Sequence, residues 1–221
     1  MNYTSFRISH NSFHNIGFPW VQSIIKGLTI IPPCPTCGCG GTEPKSTIEV
    51  ELDQKKGTKW PDALGCGAEP LFIVSERTIA AWIEVQLIEP HCHPIVITGN
   101  LPKRLESSPA PKYFWFDGSV MKGAELDFVA SGFIGVSFCP TCGRRSEDVS
   151  ATHIKQHSAV WPFVFKEKSW NGSNLFTTDL SPAAFFCTEK IYSVVSKFKF
   201  TNFWFMPIEK GSGFGMKGLK Y

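Results

Sequence analysis

The sequence holds no run of about 18 apolar residues, the least that a membrane-spanning helix requires, so no transmembrane helix is expected. Met1 to Phe13 is polar and lacks an apolar stretch behind a basic start, so no secretory signal is expected either. Charge of one sign is in short supply: 22 Lys+Arg stand against 19 Asp+Glu, a net charge of +3. A chain dedicated to nucleic acid carries a stronger basic excess or a basic stripe. The densest basic groups are Lys55-Lys56, Arg144-Arg145 and the Lys197, Lys199 pair, and each reads as a solvated face.

Catalytic signatures are missing too. There is no Gly-x-Ser-x-Gly, no His-Glu-x-x-His and no dinucleotide fingerprint. The Gly-rich stretch from Gly38 to Pro44 lacks the Lys-Ser/Thr of a phosphate loop. The carboxylate pairs Glu49/Glu51 and Glu147/Asp148 come with no sign of a pocket and read as surface charges. These absences point away from an enzyme and from a membrane, and toward a binding protein resident in the cytoplasm.

What is present is apolar and aromatic. Hydrophobic residues make up 43 % of the 221 residues and charged ones 19 %, a globular composition. Nineteen Phe and seven Trp can bury a large area, so disulfides are not needed to hold the chain together. In a reducing cytoplasm the eight Cys point to metal binding or to burial.

One pentapeptide occurs twice: Cys34-Pro35-Thr36-Cys37-Gly38 and Cys139-Pro140-Thr141-Cys142-Gly143. Each Cys-x-x-Cys puts two thiolates on one tight turn. The proline fixes one backbone angle, the glycine lets the turn close, and backbone amides can donate to the sulfurs. Two such turns face to face place four sulfurs at the corners of a tetrahedron, which is a closed, structural zinc site. Cys34, Cys37, Cys139 and Cys142 are therefore the expected ligands of one zinc ion. The pairs lie about a hundred residues apart, far outside the short spacing of a zinc ribbon. Closing so long a loop constrains the unfolded chain, so metal loss should destabilise the whole protein.

Other readings of the same residues are weaker. A glutaredoxin-like centre needs a helix after its Cys pair, and Gly38-Cys39-Gly40-Gly41 starts a helix poorly. A zinc deaminase shares Pro33-Cys34-x-x-Cys37 but needs an upstream His-x-Glu, which neither His10 nor His14 supplies. A finger pairing Cys139 and Cys142 with His153 and His157 has ten residues between the pairs and lacks the core aromatic, and it strands Cys34 and Cys37. Cys39 is an alternative ligand to Cys37. His91-Cys92-His93 resembles a second metal site without a distant partner. Cys187 reads as a buried thiol, and Cys66, between glycines, as an exposed one.

The expected fold is α+β, mostly antiparallel strands with a few short helices. It comprises two related halves joined at a zinc knuckle pair of four cysteines. One domain, 1–221, divides into pseudo-repeated lobes at roughly 1–125 and 126–210, with a flexible tail at 211–221. Each lobe reads as knuckle, strand, helix, strand. The helices are expected to start after the N-caps Ser75 and Thr188, with Glu76 and Glu189 at the positive end of the dipole. Strands are expected at Ser46–Leu52, Val85–Ile88, Pro94–Thr98, Tyr113–Phe116, Phe133–Phe138 and Phe203–Ile208. The aromatic runs Tyr113–Phe116 and Phe203–Phe205 read as strands buried on both sides, ahead of a base-stacking or partner-binding role.

With the paired Cys-Pro-Thr-Cys-Gly elements goes a terminal pattern. It runs from Leu175-Phe176 through Phe185-Phe186-Cys187-Thr188-Glu189-Lys190 to Phe203-Trp204-Phe205. Together they resemble the bacterial double-CXXCG-motif proteins over most of the chain. That family includes immunity proteins, which protect a bacterium from its own or its siblings' secreted toxins. The resemblance implies an immunity protein that binds and sterically blocks one cognate toxin. The target class is a nuclease acting in the cytoplasm, and no direct nucleic-acid binding is implied. The alternative is a zinc-ribbon nucleic-acid-binding or regulatory protein, resting on the knuckles, Arg144-Arg145 and the aromatic strands. An enzyme built on His91, Cys92 and His93 is the weakest of the three.

Overall fold

The computed structural model describes residues 5–10, 17–53, 57–67, 71–88, 91–148, 163–208 and 219–220. Strands and helices follow in the order β1 (Ser5–His10), β2 (Trp20–Ile31), β3 (Gly41–Leu52), β4 (Ala63–Cys66), β5 (Ile73–Ser75), α1 (Glu76–Glu84), β6 (Cys92–Thr98) and β7 (Tyr113–Phe116). They continue with β8 (Ser137–Phe138), β9 (Arg145–Ser146), β10 (Leu175–Thr178), β11 (Ser181–Thr188), α2 (Glu189–Lys197), β12 (Phe203–Pro207) and β13 (Leu219–Lys220). The α+β expectation holds as mostly antiparallel and mixed strands with two short helices among the described residues. No helix there is long and apolar enough to cross a membrane.

Six strands close a barrel in the order β2-β3-β6-β7-β5-β4, parallel at β2/β4 and at β3/β6 and antiparallel elsewhere. An open sheet follows the order β10-β11-β1-β12-β13, all antiparallel. Its middle strand β1 precedes the barrel in the chain, so sheet membership does not follow a division near residue 125. The stretch 209–218, most of the expected tail, lies outside the described residues.

Strand periodicity sorts the side chains into three cores, because successive residues of a strand point to opposite faces. Inside the barrel pack Val21, Ile48, Val50, Leu64, Ile73, Tyr113 and Trp115. Their strand neighbours Ala63, Val74 and Phe116 point outward, onto a central core shared with α1, α2 and the open sheet. Along β11, Phe185 and Cys187 enter that central core while Ala184 and Phe186 enter a third, on the far face of the sheet. The run Tyr113–Phe116 is buried on two faces, with Tyr113 and Trp115 in the barrel and Phe116 in the central core. In Phe203–Phe205 only one face is fully buried: Phe203 and Phe205 both enter the central core, and Trp204 on the other face is half-buried. Truncating one such ring to alanine costs about 3–5 kcal/mol.

Barrel and sheet are tied by polar contacts as well as by apolar packing. The Asp62 carboxylate, just before β4, accepts from Arg77 Nε at 2.6 Å and Nη2 at 2.8 Å, and from the Thr201 amide at 2.8 Å. Asn202 Nδ2 donates to the Ala63 carbonyl at 2.7 Å, linking β4 to the turn before β12. Burial alone would raise the Asp62 carboxyl, but the hydrogen bonds from Arg77 and Thr201 hold it below the ordinary value.

The two strand–helix units resemble each other locally. Ser75 and Thr188 are the N-cap residues, yet neither hydroxyl caps its helix. Ser75 Oγ donates to Asp62 Oδ1 at 3.1 Å and Thr188 Oγ1 to Asn174 Oδ1 at 2.9 Å, so tertiary acceptors outcompete the helix amides. Each helix ends on a left-handed residue that is not glycine, Gln86 at φ 56° and Lys199 at φ 52°. The next amides, of Leu87 and Phe200, bond back to Trp82 and Val195, which completes a Schellman closure. That closure replaces the strand expected at Val85–Ile88. β5–α1 enters a closed barrel and β11–α2 an open sheet, so the sheets do not carry the likeness of the two halves.

Only Ser137–Phe138 of the expected strand Phe133–Phe138 is extended, because Phe133 turns into the third core. Cys66 is buried rather than exposed: it ends β4 beside Val21 and packs into the barrel.

Candidate metal centre

The barrel hairpin β2–β3 is longer than the barrel. β3 pairs with β6 only over Ile48–Glu51, while β2 and β3 stay paired with each other out to Ile31 and Gly41. The distal half is therefore a two-stranded arm. Irregular register around Lys26 marks its base, where Gly27 takes φ +93° and a Cβ would stand 2.4 Å from the Thr47 carbonyl oxygen. Only glycine fits that bulge. The first knuckle sits at the arm's tip, between Ile31 and Gly41. The second sits at the tip of the short hairpin β8–β9.

The knuckles are built alike. In the first, the Cys34 amide donates to the Cys39 carbonyl at 2.9 Å and the Gly38 amide to the Cys34 carbonyl at 2.8 Å. In the second, the Cys139 amide donates to the Arg144 carbonyl and the Gly143 amide to the Cys139 carbonyl, both at 2.9 Å. Gly38 and Gly143 adopt φ +69° and +68°, the left-handed conformation that the final residue of the pentapeptide has to supply.

Facing each other, the tips bring together Cys34, Cys37, Cys139 and Cys142, with the four sulfurs all within 4.8 Å of one another. Cys34 Sγ lies 3.8 Å from Cys139 Sγ, and Cys37 Sγ lies 3.6 Å from Cys142 Sγ. Metal–sulfur bonds of about 2.3 Å in a tetrahedron require sulfurs about 3.8 Å apart, so the spacing fits an ion at the centre. Two contacts that the sequence reading did not foresee align the tips. The Thr36 and Thr141 hydroxyls lie 2.6 Å apart, and Arg144 Nη1 donates to the Gly40 carbonyl at 2.8 Å. The repeated threonine was the available signal for the first.

No known family model matches this chain. No curated protein is significantly similar to it in sequence either. The centre must be read from its own chemistry.

Without a cation the four thiols cannot ionise together. The Cys37 and Thr36 amides hold Cys34 down to about 6, and the Cys142 and Thr141 amides lower Cys139 in the same way. Cys37 is pushed up to about 12: the Cys39 amide alone would lower it, but local desolvation and the three neighbouring sulfurs outweigh that bond. Cys142 is also raised, against the pull of the Arg144 amide. A dication among the four sulfurs would favour the thiolate form of each. Four thiolates suit zinc or iron. Four such ligands would leave a tetrahedral ion no open position.

The other candidate ligands stand apart. Cys39 offers its carbonyl to the first knuckle and does not join the sulfur group. Within the His91-Cys92-His93 run, the alternation of faces along β6 separates Cys92 from His93. Cys92 packs against the central core, where burial raises its thiol, and His93 lies over Trp115 with ring centroids 5.0 Å apart. Among the described residues no second group has metal-binding spacing. His153 and His157 lie outside them. Cys187 is fully buried and its thiol is raised well above the ordinary value by burial.

Proposed function

We propose that this chain is an immunity protein that folds around one structural zinc ion and blocks a cognate secreted toxin by occupying its surface. The toxin class is a nuclease acting in the cytoplasm, where this protein would reside with its thiols reduced. All eight cysteines are free of disulfides, in keeping with that compartment. The observation that carries the proposal is the meeting of two identical Cys-Pro-Thr-Cys-Gly turns in one closed four-sulfur group, the feature on which the resemblance to double-CXXCG proteins rests. A closed site assists no reaction directly, and its use is to hold a surface rigid for binding.

The two arginines that favoured the nucleic-acid alternative are engaged within the fold. Arg144 donates to Gly40, while Arg145 pairs with Glu147 at 3.2 Å and lies over the rings of Phe128 and Phe133. The test of the proposal is co-expression with the toxin gene that neighbours its own. Cells carrying both genes should survive and the two proteins should co-purify. Death at the rate seen with the toxin alone overturns the reading. Tight, steeply salt-dependent binding of DNA or RNA by the purified chain would favour the alternative.

A further inference from the structure

The four sulfurs are not equally accessible. Cys34 is buried and Cys139 half-buried, while Cys37 and Cys142 are both exposed and their sulfurs lie 3.6 Å apart. The two exposed sulfurs belong to different knuckles. Oxidation that starts from the accessible sulfurs therefore meets its nearest exposed partner across the centre.

We propose that a peroxide converts the metal bridge into a covalent one, a Cys37–Cys142 disulfide, with release of the ion. The inference rests on a metal ion occupying the four-cysteine group. In the first step one exposed thiolate attacks a peroxide oxygen. An S–O bond forms, the O–O bond breaks, and the departing oxygen leaves as water after taking up a proton. In the second step the other exposed thiolate attacks the resulting sulfenic sulfur. The S–S bond forms, the S–O bond breaks, and hydroxide leaves as a second water after protonation. Two thiolates are oxidised, one hydrogen peroxide is reduced, two protons are consumed, and zinc departs as the dication it was. The sulfurs must approach from 3.6 Å to a bond of about 2.05 Å, and loss of the ion between them frees that movement.

The choice of partner decides what oxidation does. A disulfide within either knuckle would free the β2–β3 arm from the β8–β9 hairpin. The Cys37–Cys142 bond keeps them joined, and the Thr36–Thr141 and Arg144–Gly40 contacts hold the tips in register while it forms. The chain would then keep its arm docked under oxidative attack, the condition in which a zinc-only staple fails.

The experiment uses the full chain, loaded with zinc and counted for metal before oxidation. Hydrogen peroxide is titrated in while a chromogenic chelator reports free zinc, and the product is digested without reduction for peptide mapping. Close to one zinc should be released per chain, in step with one cross-linked peptide holding Cys37 and Cys142. Cys142→Ser should abolish that peptide, with circular dichroism reporting whether the variant is folded. Protein that binds metal but yields Cys34–Cys37 and Cys139–Cys142 peptides, or sulfinic acids without a cross-link, overturns the exchange alone. Protein that binds no metal overturns the metal reading and the exchange with it.

Discussion

The two knuckles share five residues and the same pair of backbone hydrogen bonds, yet they stand on unlike supports. The first caps an arm continuous with a closed barrel, whose strands carry Val21, Ile48 and Val50 at zero exposure. The second caps a hairpin with two residues per strand, set in a stretch of irregular chain. A two-stranded hairpin of that length has little stability of its own. Local sequence can thus specify each half of a metal site, while the unfolding hierarchy is set by what lies behind it. The barrel side should persist without metal and the β8–β9 side should not.

Removing the ion, by chelator or by Cys139→Ser, puts that asymmetry to the hardest test. A ligand present at about a thousand times its dissociation constant contributes about 4 kcal/mol, and a chain of this size shifts by roughly 2–4 °C per kcal/mol. The melting temperature should fall on the order of 10 °C. Amide exchange should rise over residues 134–148 while Val21, Ile48 and Val50 stay protected. Equal loss of protection on both sides would erase the distinction.

The next largest effect lies away from the metal. Asp62→Ala should cost about 3 kcal/mol, because it leaves the Thr201 amide and the Ser75 hydroxyl without their acceptor, and zinc content should not change. Its sign with pH is fixed. The folded carboxyl is held below its ordinary value of 3.8, so its contribution is present above that pH and is lost as the solution is acidified below it. A stability profile for Asp62→Ala parallel to that of the parent chain through this window would remove Asp62 from the account.

Gly27→Ala attacks the arm at its base. The added methyl meets the Thr47 carbonyl at φ +93°, and strain of this kind costs about 1–3 kcal/mol. Zinc affinity should weaken together with stability, because the arm carries one knuckle. Unchanged affinity would mean that the tip is positioned independently of its stem. Thr141→Val should be the mildest, within about 1 kcal/mol, since it removes one exposed hydrogen bond. Calorimetric zinc titration would register it.

The site was more legible than the fold. The grouping of four cysteines could be read from two pentapeptides because Cys, Pro and Gly each act within a few bonds. The strand Tyr113–Phe116 was equally local. β2 was not visible as a strand, because Lys26-Gly27 breaks the apolar pattern where the bulge lies. Barrel closure depends on parallel pairings, Trp20 with Gly65 and Ile48 with Ile95, that leave no mark on neighbouring residues. Cys66 looked exposed between its glycines. Trp20 instead packs so close to Gly67 that a Cβ there would lie 2.5 Å from its indole nitrogen. Ser75 and Thr188 were placed as N-caps, but their hydroxyls answer to Asp62 and Asn174, acceptors that are near only once the chain has folded.

The central place of β1 in the open sheet sets a timetable for synthesis. All six barrel strands lie between Trp20 and Phe116, so that unit can close while the ribosome is still translating. β1 leaves the exit tunnel before any of them, yet both of its neighbours, β11 and β12, are made only after all of them. At about 5–20 residues per second, Phe6 and Ile8 wait roughly 10–40 s for their partners. During that interval the outward faces of Phe72, Trp82 and Phe116 are uncovered as well. A complete barrel thus still leaves the central core open on the side that the sheet covers later.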